Sequence, residues 1–332
     1  MNRNHLRGFT LLETFIALAI GVFMFAGVIS AYSAMRSTSS ETLAIGDIQE
    51  TARMAMNLLK RDIEKAGFWG ADLDFNLEDS LTTNPVAFAS DCIGDGPTDN
   101  NRSFPVLASD YPFRYLWLKT ATQTNEMGCI QDSKAGSDIL QLKRAVGARV
   151  ASTADFRVNR YYLISSDVES GLVAGNAAVF PDIENSQNWM YQHIVYYVST
   201  AAGGTALRRK RLIIGGDGQP SIDTSSLIDG IERIHFQLGV DTTGDQQVDV
   251  YLAPAQVTQA IWDQSANARI MAVKIFVLAR ASQPDKRYTN NNRYQLGNVV
   301  VNGGGDNYRR ILLTSTVRVE NAATTNWYEG GR

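Results

Sequence analysis

The stretch Asp241–Asp249 places oxygen-bearing side chains at every second residue, between two predicted strands. These side chains belong to Asp241, Thr243, Asp245, Gln247 and Asp249. Calcium binds carboxylate, hydroxyl and amide oxygens, and the alternation resembles the first part of a calcium loop. Gln246 stands where such a loop has glycine, and Leu252 where it has its last glutamate. Two interpretations stay open, a calcium site and a solvated turn, for which Thr-Gly-Asp is good chemistry.

Side chains suited to catalysis are scarce, and no catalytic residue is expected. Of the three histidines, His5 lies near the N-terminus, while His193 and His235 fall within predicted strands. A buried structural role is more common there than a general base. The short motifs of serine hydrolases, zinc proteases and phosphate-binding loops do not occur. Calcium is the one cofactor that the sequence suggests, and no cofactor is required.

Residues 208–211, Arg-Arg-Lys-Arg, form the densest basic run. In a strand their side chains would alternate between two faces. A surface for an anionic partner and a charged edge strand that prevents aggregation are both open. The net charge of the whole chain is −3, which gives no electrostatic case for binding nucleic acid.

The N-terminal residues combine a short basic segment with a long apolar run. Arg7 precedes Gly8-Phe9, and no charged side chain occurs between Glu13 and Arg36. A helix over this run spans the roughly 30 Å hydrocarbon core of a bilayer. The basic start predicts a cytoplasmic N-terminus and an exported remainder. A carboxylate such as Glu13 is costly within a membrane helix and calls for a partner.

Residues 8–13, Gly-Phe-Thr-Leu-Leu-Glu, resemble the class III leader of type IV pilins and type II secretion pseudopilins. The resemblance implies that a membrane aspartyl peptidase cuts after Gly8 and N-methylates the new first residue, Phe9. It also associates Glu13 with the ordered addition of subunits. The alternative is a plain signal anchor with a chance glutamate.

Cys92 and Cys129 are the two cysteines of the chain. In an exported protein a lone pair most often forms a disulfide. Closing this loop would stabilise the fold by about 4 kcal/mol in the chain-entropy model. Two separate buried thiols are the alternative.

Beyond the apolar run, hydrophobic residues recur at helical spacing, which predicts an amphipathic helix that Gly67 and Gly70 terminate. They are Ile45, Ile48, Ala52, Ala55, Leu59 and Ile63. Residues 71–137 lack such periodicity and are rich in turn residues, so we expect a long irregular insertion with short strands, fastened by the cysteine pair.

The remainder is rich in β-branched and aromatic residues, which predicts strands. The segments are 139–146, 161–165, 193–199, 206–214, 231–240, 248–252, 269–281 and 311–319. The segment 269–281 is apolar on both faces and should be a central strand.

These patterns predict an α+β fold, with a long N-terminal helix packed on an antiparallel β-sheet head domain. The expected parts are a leader peptide (1–8), a transmembrane or fibre-core half of the helix (9–36), an amphipathic half (37–66) and a β-rich head (67–332) that contains the insertion 71–137.

Two C-terminal runs, residues 271–280 and 308–319, resemble the closing strands of PilW-type minor pilins. Those proteins are similar to the J-type minor pseudopilin of type II secretion. The cysteine pair lies early in the head, whereas major pilins commonly close a disulfide loop near the C-terminus, so the loop functions of major pilins are not carried over.

The resemblance implies a minor pilin at or near the tip of a type IV pilus that helps to initiate assembly. The implied partners are the prepilin peptidase/N-methyltransferase, other minor pilins, the major pilin, the inner-membrane assembly platform and a tip adhesin. The implied location is the inner membrane, with a single pass and the head in the periplasm, and then the pilus. The alternatives are a minor pseudopilin of type II secretion and, in another class, a membrane-anchored calcium-dependent binding protein or enzyme.

Overall fold

The computed structural model describes residues 10–72, 77–94, 100–107, 109, 111–200, 204–264 and 268–323. Gly8 and Phe9, the expected cleavage and methylation positions, lie outside the described residues. The chain divides into two compact units, the first ending at Asp47 and the second beginning at Ile48. One long helix, α1 (Leu11–Glu64), includes residues of both units.

The second unit is built mainly from strands. In chain order they are β1 (Leu81–Thr83), β2 (Leu116–Thr120), β3 (Asp138–Val150), β4 (Tyr161–Ser165), β5 (Ser170–Ala174), β6 (Gln187–Ser199), β7 (Ala206–Ile214), β8 (Pro220–Asp229), β9 (Ile231–Asp241), β10 (Val250–Leu252), β11 (Arg269–Arg280), β12 (Arg293–Leu296), β13 (Val299–Asn302) and β14 (Arg310–Arg318). Two single-turn α-helices are also present: α2 (Leu77–Ser80) lies between α1 and β1, and α3 (Gln259–Trp262) lies between β10 and β11.

Among the described residues these strands form an eight-stranded sheet, a four-stranded sheet and a two-stranded ribbon. The largest sheet has the order β1-β5-β4-β6-β3-β2, and β6 also pairs with β7, which in turn pairs with β8. The second sheet has the order β10-β9-β11-β14, and the ribbon joins β12 to β13. The expected α+β fold is confirmed, with two refinements: the head holds two main sheets, and β1 pairs with β5 in parallel.

Residues 48–64 of α1 bury one face in the core of the second unit. Ile48, Ala52, Ala55, Leu59 and Ile63 are each no more than 3% exposed. The spacing of these residues on one helical stripe explains the burial, and the amphipathic pattern predicted for this stretch is confirmed.

Asp62 fastens the same stretch to the large sheet. Its Oδ1 accepts a hydrogen bond from Arg144 of β3 at 2.6 Å, and its Oδ2 accepts one from the Tyr196 hydroxyl of β6 at 2.5 Å. Because successive strand residues face opposite sides, the odd-numbered neighbours Lys143 and His193 face away from α1. The sheet thus has a helix-facing side and a side covered by the insertion.

Candidate assembly segment and the buried polar cluster of the head

Glu13 lies exposed in the first turn of α1. Its Oε2 accepts hydrogen bonds from the backbone N–H and the hydroxyl of Thr10, both at 3.1 Å. Thr10 Oγ1 in turn accepts the N–H of Glu13 at 3.2 Å. These reciprocal bonds form a capping box, which satisfies N–H groups that the start of a helix leaves unpaired. The Thr-x-x-Glu spacing ahead of an apolar run is its sequence signal, and it was missing from the sequence-based predictions.

The residues of α1 that precede Asp47 carry large apolar side chains in exposed positions. Leu18 is 68% exposed, Phe23 80% and Met35 74%. Of the helices in the described part of the chain, α1 is the one that is long and apolar enough to cross a membrane, by length and composition. A contiguous apolar surface of this kind marks contact with a membrane or a partner. The first unit therefore fits a membrane anchor.

The loop from Asp241 to Asp249 folds around the carboxylate of Asp241, which is buried. Asp241 Oδ1 accepts the backbone N–H groups of Thr243 at 3.0 Å and Gly244 at 2.7 Å, and Oδ2 accepts that of Gln246 at 2.7 Å. Gln246, at the position of the calcium-loop glycine, has a φ of 66°, in the left-handed region that glycine favours. Asp241 thus organises the turn through backbone donors.

The other acidic residues of this loop also bond within the loop. Asp249 Oδ2 accepts the N–H of Thr242 at 2.7 Å and its hydroxyl at 2.8 Å, and these bonds lower the pKa of Asp249. Asp245 Oδ1 accepts the N–H of Gln247 at 2.9 Å. No group of three His, Cys, Asp or Glu side chains converges as metal ligands would in the portion of the chain that is described. Calcium binding at this loop stays a prediction.

Cys92 and Cys129 form a disulfide, with their Cα atoms 5.0 Å apart. Beside it, the Ile93 N–H donates to the Met127 carbonyl at 3.0 Å. Gln141 of β3 donates to the Cys92 carbonyl at 3.1 Å. The expected pairing is therefore present, and the bridge joins two arms of the insertion directly above the large sheet.

A set of polar side chains lies almost fully buried beneath the insertion. Its members are Asp91, Asn101, Ser103, Gln141, Lys143 and His193. The Ser103 hydroxyl lies 2.5 Å from Asp91 Oδ1 and 2.6 Å from His193 Nδ1. Gln141 Nε2 lies 2.9 Å from His193 Nε2. The cluster joins insertion residues to β3 and β6, strands that are adjacent in the sheet but distant along the chain.

This cluster contains Asp, Ser and His without the geometry of a hydrolase. In a catalytic triad the acid binds the far side of the histidine, whereas Asp91 and His193 both contact the Ser103 hydroxyl. Ser103 is 0% exposed, so a substrate does not reach it. Burial, with a further contribution from Lys143, lowers the pKa of His193 well below its ordinary value. His193 is therefore a neutral hydrogen-bonding residue of the core.

His235 connects the two main sheets. Its Nδ1 lies 2.7 Å from Asp138 Oδ2, and its Nε2 lies 2.9 Å from Asn298 Oδ1. Asp138 belongs to β3 and His235 to β9. Burial acts to lower the pKa of His235, but the hydrogen bond and charge of Asp138 outweigh it and raise that pKa. The position of His235 therefore suits a structural ion pair.

The basic run 208–211 lies in β7, which pairs with both β6 and β8. The edge-strand interpretation of this run is therefore wrong, because β8 covers the open side of β7. Arg208 pairs with Asp132 at 2.8 Å, and Lys210 donates to the Thr224 hydroxyl at 2.8 Å. These contacts hold two of the four basic side chains against neighbours in the head.

Comparison with known proteins adds one match. Residues 195–321 match the family model of the Type IV Pilus-assembly protein W. The matched segment begins within β6 and extends past β14, so it includes both C-terminal runs whose resemblance was noted in the sequence. No curated protein and no solved structure shows significant similarity to the chain. The resemblance to PilW-type, type IV pilin-like proteins is confirmed over this C-terminal part of the head.

Proposed function

We propose that the chain is a minor pilin that sits at or near the tip of a type IV pilus and helps to initiate its assembly. The observation that carries this proposal is the start of α1, where an exposed apolar helix begins with a glutamate in its first turn. The match of residues 195–321 to a pilus-assembly family supports it independently. The role is structural, with no substrate to be converted.

Before assembly the apolar helix holds the chain in the inner membrane, with the head in the periplasm. The prepilin peptidase removes the leader after Gly8 and methylates Phe9, so the mature chain begins with a charged amine. The other minor pilins, the major pilin, the assembly platform and a tip adhesin are the partners that this role requires.

Glu13 sets the position at which this subunit docks on its neighbour during assembly. The capping box uses its Oε2, and Oε1 makes no hydrogen bond among the described residues. Oε1 is thus available to the N-terminal amine of a neighbouring subunit. In the apolar interior of a fibre an unpaired carboxylate is costly, whereas a paired one is tolerated. A subunit in the wrong register would leave both charges unpaired and would be disfavoured.

Three variants separate this pairing from simple helix capping. Glu13→Gln keeps a residue that serves a capping box but removes the charge, and Glu13→Ala removes both. Thr10→Ala weakens the cap and keeps the charge. We expect both Glu13 variants to fall severalfold in the sheared-pilus fraction relative to the membrane fraction, and Thr10→Ala to remain near wild type. Wild-type incorporation of Glu13→Gln would contradict the proposed pairing.

A further inference from the structure

Lys143 is a fully buried amine in the middle of β3. The side chain is 0% exposed. Its Nζ donates to the Arg114 carbonyl at 2.6 Å and lies 4.5 Å from the centroid of the Phe113 ring. Burial lowers the pKa of Lys143 well below its ordinary value. A lysine that is desolvated in this way holds an available lone pair and is a nucleophile.

The amide side chain of Asn101 lies beside this amine and is also 0% exposed. Lys143 Nζ lies 3.4 Å from Asn101 Oδ1, and the carbon bonded to that oxygen is the electrophile of a carboxamide. The backbone of Asn101 is fixed, because its carbonyl accepts the Gly94 N–H at 2.9 Å. A buried nucleophile and electrophile held this close gain the large rate advantage of an intramolecular reaction.

We propose that Lys143 and Asn101 become joined by an isopeptide bond within the head. The Lys143 amine attacks Cγ of Asn101, the Nζ–Cγ bond forms, and the Cγ–Nδ2 bond breaks. Nδ2 leaves as ammonia and takes up one of the two protons that Nζ carried as a neutral amine. The products are one secondary amide and one ammonia molecule, so no oxidant, reductant or further reactant is needed.

Glu78 is the candidate to carry the proton between the two nitrogens, because it accepts a hydrogen bond from Phe113, whose ring lies 4.5 Å from Lys143 Nζ. Its Oε1 accepts the Phe113 N–H at 2.8 Å, while its buried Oε2 has no hydrogen-bond partner within the described residues. Burial raises the pKa of Glu78 to about 7, so that it both accepts and releases protons near neutral pH. The charge of Asp91 acts on the Lys143 amine, and that of Glu78 does so more weakly. Asp91 already accepts two hydrogen bonds from Ser103.

The bond would change how the insertion is held. The disulfide joins two arms of the insertion to each other, whereas a Lys143–Asn101 amide would join the insertion to β3 of the large sheet. It would persist in a reducing environment and would leave no ionisable amine at this buried position. Nothing in this step depends on the proposed role in a pilus.

Peptide mapping by mass spectrometry of the reduced full-length protein tests the proposal. We expect a tryptic peptide containing Asn101 joined to one containing Lys143, lighter than the sum of the two separate peptides by the mass of one ammonia molecule. Lys143→Met and Asn101→Ala should lose the linked peptide, and Glu78→Gln should lower its yield severalfold. Lys134→Arg, which changes a lysine that is only partly buried, should keep it.

Three results would overturn parts of this account. Unlinked wild-type peptides at their sequence masses would mean that Lys143 only donates a hydrogen bond to Asn101. Loss of ammonia without a linked peptide would indicate a succinimide at Asn101 and would equally exclude the bond. An unchanged yield in Glu78→Gln would remove Glu78 from the reaction.

Discussion

The two stretches of α1 contain similar apolar residues in opposite surroundings. In the first stretch, up to Asp47, Leu18 is 68% exposed, whereas in the second stretch, from Ile48, Leu59 is 0% exposed. Both stretches are helical, so helix propensity does not explain the difference. The difference is that the second stretch packs within the core of the head. One helix therefore contributes apolar residues to the core of the head and also carries an exposed apolar stretch that fits a membrane anchor.

Removing the disulfide should have the largest effect confined to the head. The double variant Cys92→Ala with Cys129→Ala should lose about 4 kcal/mol of unfolding free energy, because the bridge spans a separation of 37 residues and constrains the unfolded chain. The measurement is chemical denaturation of the full-length protein in detergent. The first stretch should still direct the variant to the membrane fraction. Absence of the variant from that fraction would show that membrane association also depends on the disulfide of the head.

Substitutions at matched leucines test the comparison directly. Leu59→Ala should lower the unfolding free energy of the head by about 3 kcal/mol, since a buried leucine loses its transfer energy and leaves a cavity. Leu18→Ala, which is the control, should leave the denaturation midpoint of the head unchanged. An equal loss in both variants would show that the two stretches are not distinct in the way described.

The two head histidines should respond to pH in opposite directions. The pKa of His235 is raised, so its contribution to stability is present below pH about 6.5 and is lost as the pH rises through its folded value. The pKa of His193 is lowered, so its contribution is present above pH about 6.5 and is lost as the pH falls.

Melting temperatures measured across the pH range resolve these two contributions. His235→Gln should flatten the decline on the alkaline side, and His193→Gln should flatten the decline on the acidic side. If both variants changed the same side of the profile, the ionisation states assigned here to the two residues would be wrong.

Calcium should have the smallest effect, limited to the loop from Asp241 to Asp249. A native-state ligand at ten times its Kd raises stability by about 1.4 kcal/mol. The melting temperature of the wild-type head should therefore rise modestly in millimolar calcium and fall back with chelator. Asp245→Asn should lose this response while keeping the backbone turn around Asp241. A wild-type melting curve that calcium does not move would leave the loop as a self-bonded turn.

The features that were predictable from the sequence are those that depend on the spacing and type of residues close together along the chain. The stripe from Ile48 to Ile63 and the bounds of β4 and β7 follow from periodicity and β-branched content. β8 was not predicted, because it begins at Pro220 and carries mostly polar side chains. Because β8 pairs with β7 alone among the described strands and most of its side chains are at least partly exposed, few of them need to be apolar.

The buried cluster could not be predicted, because its members are far apart along the chain. Asn101 comes from the insertion, whereas Lys143 of β3 and His193 of β6 lie opposite each other only through the register of the two strands. Each residue taken alone has the character of a surface polar residue. The capping box of Thr10 and Glu13, by contrast, is a local pattern and was open to prediction.

The central claim is that the first stretch of α1 is the assembly segment of a processed pilin. Mass spectrometry of this chain recovered from a sheared-pilus fraction tests it most directly. The account predicts a mature protein that begins with N-methylated Phe9 and is present in that fraction. A chain that retains Met1, or one cut after the apolar run, would contradict it.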